Sequence, residues 1–132
     1  MLDRSSISGT ALEIVLCLML DPRVTWAITE MQRRLADNID LVDIAAAVNL
    51  SRSRFYHLFR LQTGLSPTQY LRAFRLDRAR LLLETTTLTV REIMALVGVH
   101  DSSHFSRDFR HVYGVSPRIW REQCRDGDHS TI

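Results

Sequence analysis

Two stretches decide how this chain folds: Phe55–Pro67, FYHLFRLQTGLSP, and Phe105–Pro117, FSRDFRHVYGVSP. Phe55, Phe59, Arg60, Gly64, Ser66 and Pro67 of the first recur fifty residues later as Phe105, Phe109, Arg110, Gly114, Ser116 and Pro117. A short apolar helix pattern precedes each copy, Ile44 to Val48 and then Ile93 to Val97, at an offset of forty-nine. The second copy therefore carries one extra residue in its turn. A repeated unit of helix, tight turn and helix, with basic and polar residues on the second helix, is the outline of a chain that enters two segments of a DNA groove.

Outward from this repeat the chain reads as helices. Asp21 can cap a helix that has Pro22 at its first position. Val24, Ala27, Ile28, Met31 and Leu35 then follow helical spacing. Asn38–Asp40 interrupts the pattern, and Leu41, Ile44, Ala45 and Val48 mark the buried stripe of a short helix that turns at Asn49-Leu50. Ser51 caps the next helix, with Phe55, Leu58 and Phe59 inward, and Gly64 ends it. Ser66-Pro67 opens a long helix in which Tyr70, Leu71, Phe74, Ala79, Leu82 and Leu83 alternate with Arg72, Arg75, Arg78 and Arg80. Thr85–Thr87 closes that helix and Thr89 caps another. Helices at about 90–97, 102–113 and 117–123 complete the plan.

The fold class is thus all-α: two helix-turn-helix subdomains joined by a long central helix, about seven helices plus a short N-terminal apolar helix. Residues 1–20 form an extension holding that apolar helix, Ala11–Leu20. Residues 21–124 form the double unit, with a first subdomain at 21–65, a linker helix at 66–84 and a second subdomain at 85–124. Residues 125–132 read as a flexible tail. Ala11–Leu20 is too short to span a bilayer, and the basic leader of a signal peptide is absent from Met1–Thr10. This segment is expected to pack on the first domain helix; a dimerisation or partner-docking helix is the alternative.

Charge separates along the chain. All 17 basic residues are arginine, and the net charge is +2. Residues 1–50 hold four arginines and seven acids, residues 51–121 twelve and five, and residues 122–132 one and three. The positive charge sits on the repeat, where a polyanion-binding surface needs it, although a solvated basic face has the same composition. Cys17 and Cys124 lie at opposite ends without metal or redox spacing, and read as thiols in a reducing cytoplasm. His100, His104 and His111 lack the carboxylate or cysteine neighbours of a metal site. The residues show no nucleophile triad, no phosphate loop and no cofactor motif, so an enzyme is not expected.

A recognition helix buries one face on its partner and offers the other, near its N-terminus, to base edges. In the first unit Arg52, Ser53, Tyr56, His57 and Arg60 lie off the apolar face. In the second, Phe105, Phe109 and Val112 go inward, leaving Ser102, Ser103, His104, Arg107 and Asp108 outside. Arg107 is the leading candidate for base readout, because a guanidinium pairs bidentately with guanine O6 and N7. Arg60 and Arg110 lie further along and suit phosphate.

From Asp21 to Gln123 the chain resembles the DNA-binding domain of AraC/XylS-type transcription regulators. The first half shows Ile44-Ala45, Leu50-Ser51, Ser53, Phe55, Phe59-Arg60, Thr63-Gly64, Ser66-Pro67, Tyr70, Arg75-Leu76, Ala79 and Leu82-Leu83. The second shows Val90, Ile93, Val97-Gly98, Asp101, Ser103, Phe105-Ser106-Arg107, Phe109-Arg110, Gly114, Ser116-Pro117 and Trp120-Arg121. The resemblance implies two recognition helices in neighbouring major-groove segments, roughly 34 Å apart. It implies base readout by Arg52, Ser53, Tyr56 and His57 in one helix and by Ser102, Ser103, His104 and Arg107 in the other. Met94 stands where such domains usually carry alanine and Val99 where they carry an aromatic, which points to a repacked second unit.

The implied function is a cytoplasmic, sequence-specific regulator, an activator that binds double-stranded DNA and touches RNA polymerase, with no membrane role. A single chain suffices on an asymmetric site, and dimerisation through residues 11–20 is an added option. The chain reads as a stand-alone regulator or a piece of a longer one. The competing reading is an interaction module that sequesters a partner regulator through its apolar N-terminal segment.

Overall fold

The computed structural model describes residues 20–130, with side chains to Asp126. Among these it contains seven α-helices and no strand: α1 Pro22–Arg33, α2 Leu41–Ala47, α3 Arg52–Thr63, α4 Pro67–Thr85, α5 Val90–Val97, α6 Ser102–Tyr113 and α7 Pro117–Ser130. The expected Ala11–Leu20 helix lies, but for Leu20, outside the described residues. The helices form two compact units. One comprises residues 20–33 and Asp40–Gln69; the other comprises Arg34–Ile39 and residues 70–130.

In the first unit each helix starts on a side chain that satisfies its free backbone N–H groups. The Asp21 carboxylate accepts from the Arg23 N–H (2.9 Å), and Pro22, which has no N–H to satisfy, takes the first helical position. Asp40 accepts from the Val42 N–H and Ser51 from the Arg54 N–H. Asn49 turns the chain between α2 and α3 at φ 62°, a left-handed conformation that asparagine tolerates better than most residues. Gly64 ends α3 in the same region, its N–H on the Arg60 carbonyl. Val24, Ala27, Met31, Ile44, Ala45, Phe55 and Phe59 form the core. Gln62 of α3 accepts from the Asp21 backbone N–H, which ties the start of α1 to α3. Leu58, expected inward, is half-buried.

The second unit packs α5 and α6 with most of α4. Its core is Leu71, Leu76, Ala79, Leu83, Ile93, Met94, Val97, Phe105 and Phe109, with Leu35 from the 34–39 segment. Met94 is buried where the first unit has buried Ala45, so this unit is packed with a larger side chain at the equivalent position. Thr89 and Glu92 form a reciprocal capping box at the start of α5. The Thr85 and Thr86 hydroxyls bond back to the Leu81 and Leu82 carbonyls where α4 stops. Phe109, Tyr113 and Trp120 stack at centroid distances of 4.6 to 6.1 Å. The Trp120 indole N–H donates to Glu84, which also accepts from Arg80.

Three expectations need correction here. Val112 does not go inward; it is 57% exposed, because Tyr113, four residues after Phe109, takes the inward position against Phe109 and Trp120. The last helix, expected to end at about 123, continues to Ser130: no proline interrupts it, and Gly127 alone does not stop it. Arg75, placed among the outward arginines of α4, is half-buried. Its guanidinium donates to the Leu35 and Asp37 carbonyls, and burial lowers its pKa from the ordinary arginine value. Leu71, Arg75, Ala79 and Leu83 are four apart and share one helix face, so Arg75 belongs to the buried stripe.

Candidate nucleic-acid interface

In the first unit, the Phe55–Phe59 ring pair (5.7 Å) locks α3 by its inner face. That rotation leaves Arg52, Ser53, His57 and Arg60 exposed, with Arg54 beside them. Ser51 holds the N-terminal turn, so the first residues of α3 sit at a fixed, solvent-facing helix end. Tyr56 departs from the fully outward position expected for it. It is half-buried, packs edge-on against Phe55 (6.2 Å, 75°), and its hydroxyl is 3.1 Å from that of Thr68 at the start of α4. The Arg52 guanidinium carbon lies 5.3 Å from the centre of the Tyr56 ring.

The second unit repeats this construction with partly different outer residues. Phe105 and Phe109 anchor α6, and Gly114 ends it as Gly64 ends α3. Ser102, Ser103, His104, Arg107 and Arg110 are exposed, while Asp108 is half-buried. Asp101 caps the helix, its carboxylate 3.0 Å from the His104 N–H and 3.9 Å from the His104 imidazole. The backbone N–H of His104 holds the Asp101 carboxyl below its ordinary range, helped by the charges of His104 and Arg107. The proposed reading groups Arg52, Ser53, Tyr56, His57 and Ser102, Ser103, His104, Arg107 thus each lie in the N-terminal half of one helix, all of them exposed but the half-buried Tyr56.

The arginine-rich character of residues 51–121 divides by role. Arg52, Arg54, Arg60, Arg72, Arg78, Arg91, Arg107, Arg110 and Arg118 are exposed; Arg75, Arg80 and Arg121 are partly buried and bonded internally. Arg121 donates to the carbonyls of Leu83, in the last turn of α4, and of Thr86 and Leu88 just after it. Arg80 bridges Asp77 and Glu84 beside the Tyr113 ring; partial burial opposes its charge, but those two hydrogen bonds outweigh it and raise its pKa. Charge counting along the sequence could not separate these three, which hold the second unit together, from the nine that face solvent. Among the described residues, no three His, Cys, Asp or Glu side chains gather as a metal site would need, and no helix is long and apolar enough to cross a membrane.

A duplicated helix-turn-helix, each copy ending in a capped helix with a polar, arginine-bearing N-terminal face, defines a DNA-reading class of domain. A helix-turn-helix domain family matches residues 44–123. A transcriptional regulator from Chromobacterium violaceum, among AraC-type DNA-binding domain-containing proteins, superposes with a TM-score of 0.72 at 32% identity, covering 78% of this chain and 92% of that one. The DNA-binding domain of AdpA, solved in complex with a target DNA, superposes with a TM-score of 0.75 at 29% identity over 79% of this chain and 94% of that one. The arabinose operon regulatory protein of Escherichia coli (strain K12) is 38% identical over 108 residues, which is 81% of this chain and 37% of that protein. The chain belongs to the AraC-type helix-turn-helix family of transcription regulators. It spans only about a third of the length of the curated relatives it matches.

Proposed function

We propose that this chain is a sequence-specific DNA-binding regulator of transcription that places α3 and α6 in major-groove segments of one asymmetric site. The observation that carries this reading is the repeated presentation of an exposed, capped, arginine-bearing helix N-terminus over a buried phenylalanine pair. Arg52, Ser53 and His57, beside Tyr56, and Ser102, Ser103, His104 and Arg107 meet base edges; Arg60 and Arg110 meet phosphates. The two faces share Ser53 with Ser103 and Arg60 with Arg110 but differ at Arg52 against Ser102, Tyr56 against Ser106 and His57 against Arg107, so the two half-sites differ in sequence. One chain then suffices on DNA. The regulatory outcome is activation through contact with RNA polymerase, and the place of action is the cytoplasm. Two relatives, the arabinose regulator and the AdpA domain solved with its target DNA, support the reading by their names.

Selection from a genomic fragment pool across a salt series tests it. One asymmetric motif should be enriched, with log affinity falling linearly in log salt concentration as counterions are released. Salt-insensitive or undetectable DNA binding, with tight self-association or capture of a partner regulator, would overturn it in favour of an interaction module.

A further inference from the structure

Tyr56 carries three contacts that a side chain free to read a base would not have. Its ring edge meets Phe55, its hydroxyl meets the Thr68 hydroxyl at 3.1 Å, and its face carries the Arg52 guanidinium at 5.3 Å. The first two contacts fix the ring from opposite ends, one through the core and one through the first turn of α4. The third lies within the ~6 Å over which a cation is held by an aromatic face. Arg52 is the first residue of α3 and exposed, so it stands at the helix end that enters a groove.

We infer that Tyr56 is a positioning residue: anchored by Thr68, it holds the Arg52 guanidinium over its ring, and Arg52 is the specificity-determining residue of the first unit. A guanidinium lying on a ring keeps its N–H edge free, and that edge matches guanine O6 and N7 bidentately. Holding the side chain in place before binding also removes part of the ordering cost that a free arginine would meet on the DNA. The second unit has no such platform, since Phe105 and Ser106 stand where the first has Phe55 and Tyr56, and its arginine is a full turn further along at Arg107. The first half-site should therefore contain a guanine read by an arginine that leans on tyrosine. This inference rests on the DNA-reading function proposed above.

The test compares base preferences of the full chain carrying Arg52→Ala, Tyr56→Leu, Tyr56→Phe or Thr68→Val, each selected from the same randomised DNA pool. Arg52→Ala and Tyr56→Leu should flatten preference at the same base pair, with the other half of the motif unchanged. Tyr56→Leu should weaken binding to the intact site by roughly two- to fivefold, the size of a cation–π contact at an exposed position. Adding Tyr56→Leu to Arg52→Ala should cause no further loss, because the two act as one unit. Tyr56→Phe keeps the ring but loses the Thr68 anchor, and should keep the preference at that base pair with a smaller loss of affinity than Tyr56→Leu, Thr68→Val matching it. Tyr56→Leu flattening a different base pair from Arg52→Ala, or multiplying its loss independently, would overturn the inference by making Tyr56 a reader itself. Tyr56→Leu leaving the preference intact would overturn it by freeing Arg52 from the ring. A wild-type chain that enriches no sequence would instead refute DNA reading as a whole.

Discussion

Gly98→Ala is the substitution that most directly probes how the second unit is closed. Gly98 follows α5 at φ +78°, and a Cβ built there would stand 2.4 Å from the Leu35 carbonyl oxygen and 3.2 Å from Arg75 Nη2. The carbonyl belongs to the backbone of the 34–39 segment, so it cannot swing aside as a side-chain end could. Gly64 (φ +82°) and Gly114 (φ +89°) share the left-handed conformation but have open space around the missing Cβ. Alanine in that conformation costs about 1–2 kcal/mol at any of the three positions. The gain from a less flexible unfolded chain is also common to all three, so it cancels in the comparison. Only at Gly98 is there a steric addition, and forcing a methyl into an occupied site typically costs about 1–3 kcal/mol more. Gly98→Ala should therefore cost about 2–5 kcal/mol in total, against about 1–2 for Gly64→Ala or Gly114→Ala. Urea unfolding followed by circular dichroism, with the slope checked for constancy, measures the three midpoints. Equal midpoints for Gly98→Ala and Gly114→Ala would refute the close approach of Leu35 to the α5 turn.

Three further outcomes follow from the same contacts. Arg107→Ala should weaken specific DNA binding by about 1–3 kcal/mol and relax preference in one half of the motif; uniform weakening on every sequence in a competition assay would place Arg107 on phosphate alone. Arg75→Met keeps the aliphatic stem but removes the guanidinium from the Leu35 and Asp37 carbonyls, and should destabilise the second unit by about 1.5–3 kcal/mol, with faster amide exchange over residues 34–39; unchanged exchange there would show the clamp to be inert. Asp101 and Glu92 both have carboxyls lowered below their ordinary values of 3.8 and 4.5, so their contribution is complete above those values and is lost as pH falls through the folded ones. Unfolding midpoints taken from pH 6 downward should fall less steeply for Asp101→Asn with Glu92→Gln than for the native chain, and parallel curves would contradict that assignment.

The repeat made most of the helices legible, because phenylalanine spacing, cap residues and the glycine stops all speak locally. Ser51 and Thr89 each accept from the backbone N–H three residues on, as their positions at the start of helical runs predict. Arginine was harder to read. Its long stem and charge look alike in a solvated face and in a clamp on backbone carbonyls, and only the four-residue spacing Leu71, Arg75, Ala79, Leu83 marked Arg75 as inward. The partners of Arg121 lie more than thirty residues away, on the Leu83, Thr86 and Leu88 carbonyls at and just past the end of α4, and no local pattern announces them. Tyr56 was expected on the outer face but is half-buried, because its link to Thr68 joins two helices across a turn and depends on tertiary placement. Val112 failed for a different reason: a heptad-like count from Phe105 names it, whereas packing against Trp120 selects Tyr113.

Arg34–Ile39 interrupts the first unit yet belongs to the second, where Leu35 and Asp37 receive Arg75 and Leu35 borders Gly98. The two halves of the duplication are therefore interleaved along the polypeptide, and no single crossover point divides them. A chimera spliced within the long helix would carry one parent's strap against the other parent's α5 turn. Exchange of one half between relatives becomes a matter of matching a six-residue loop to a glycine some sixty residues downstream, and the half that travels must bring that loop with it.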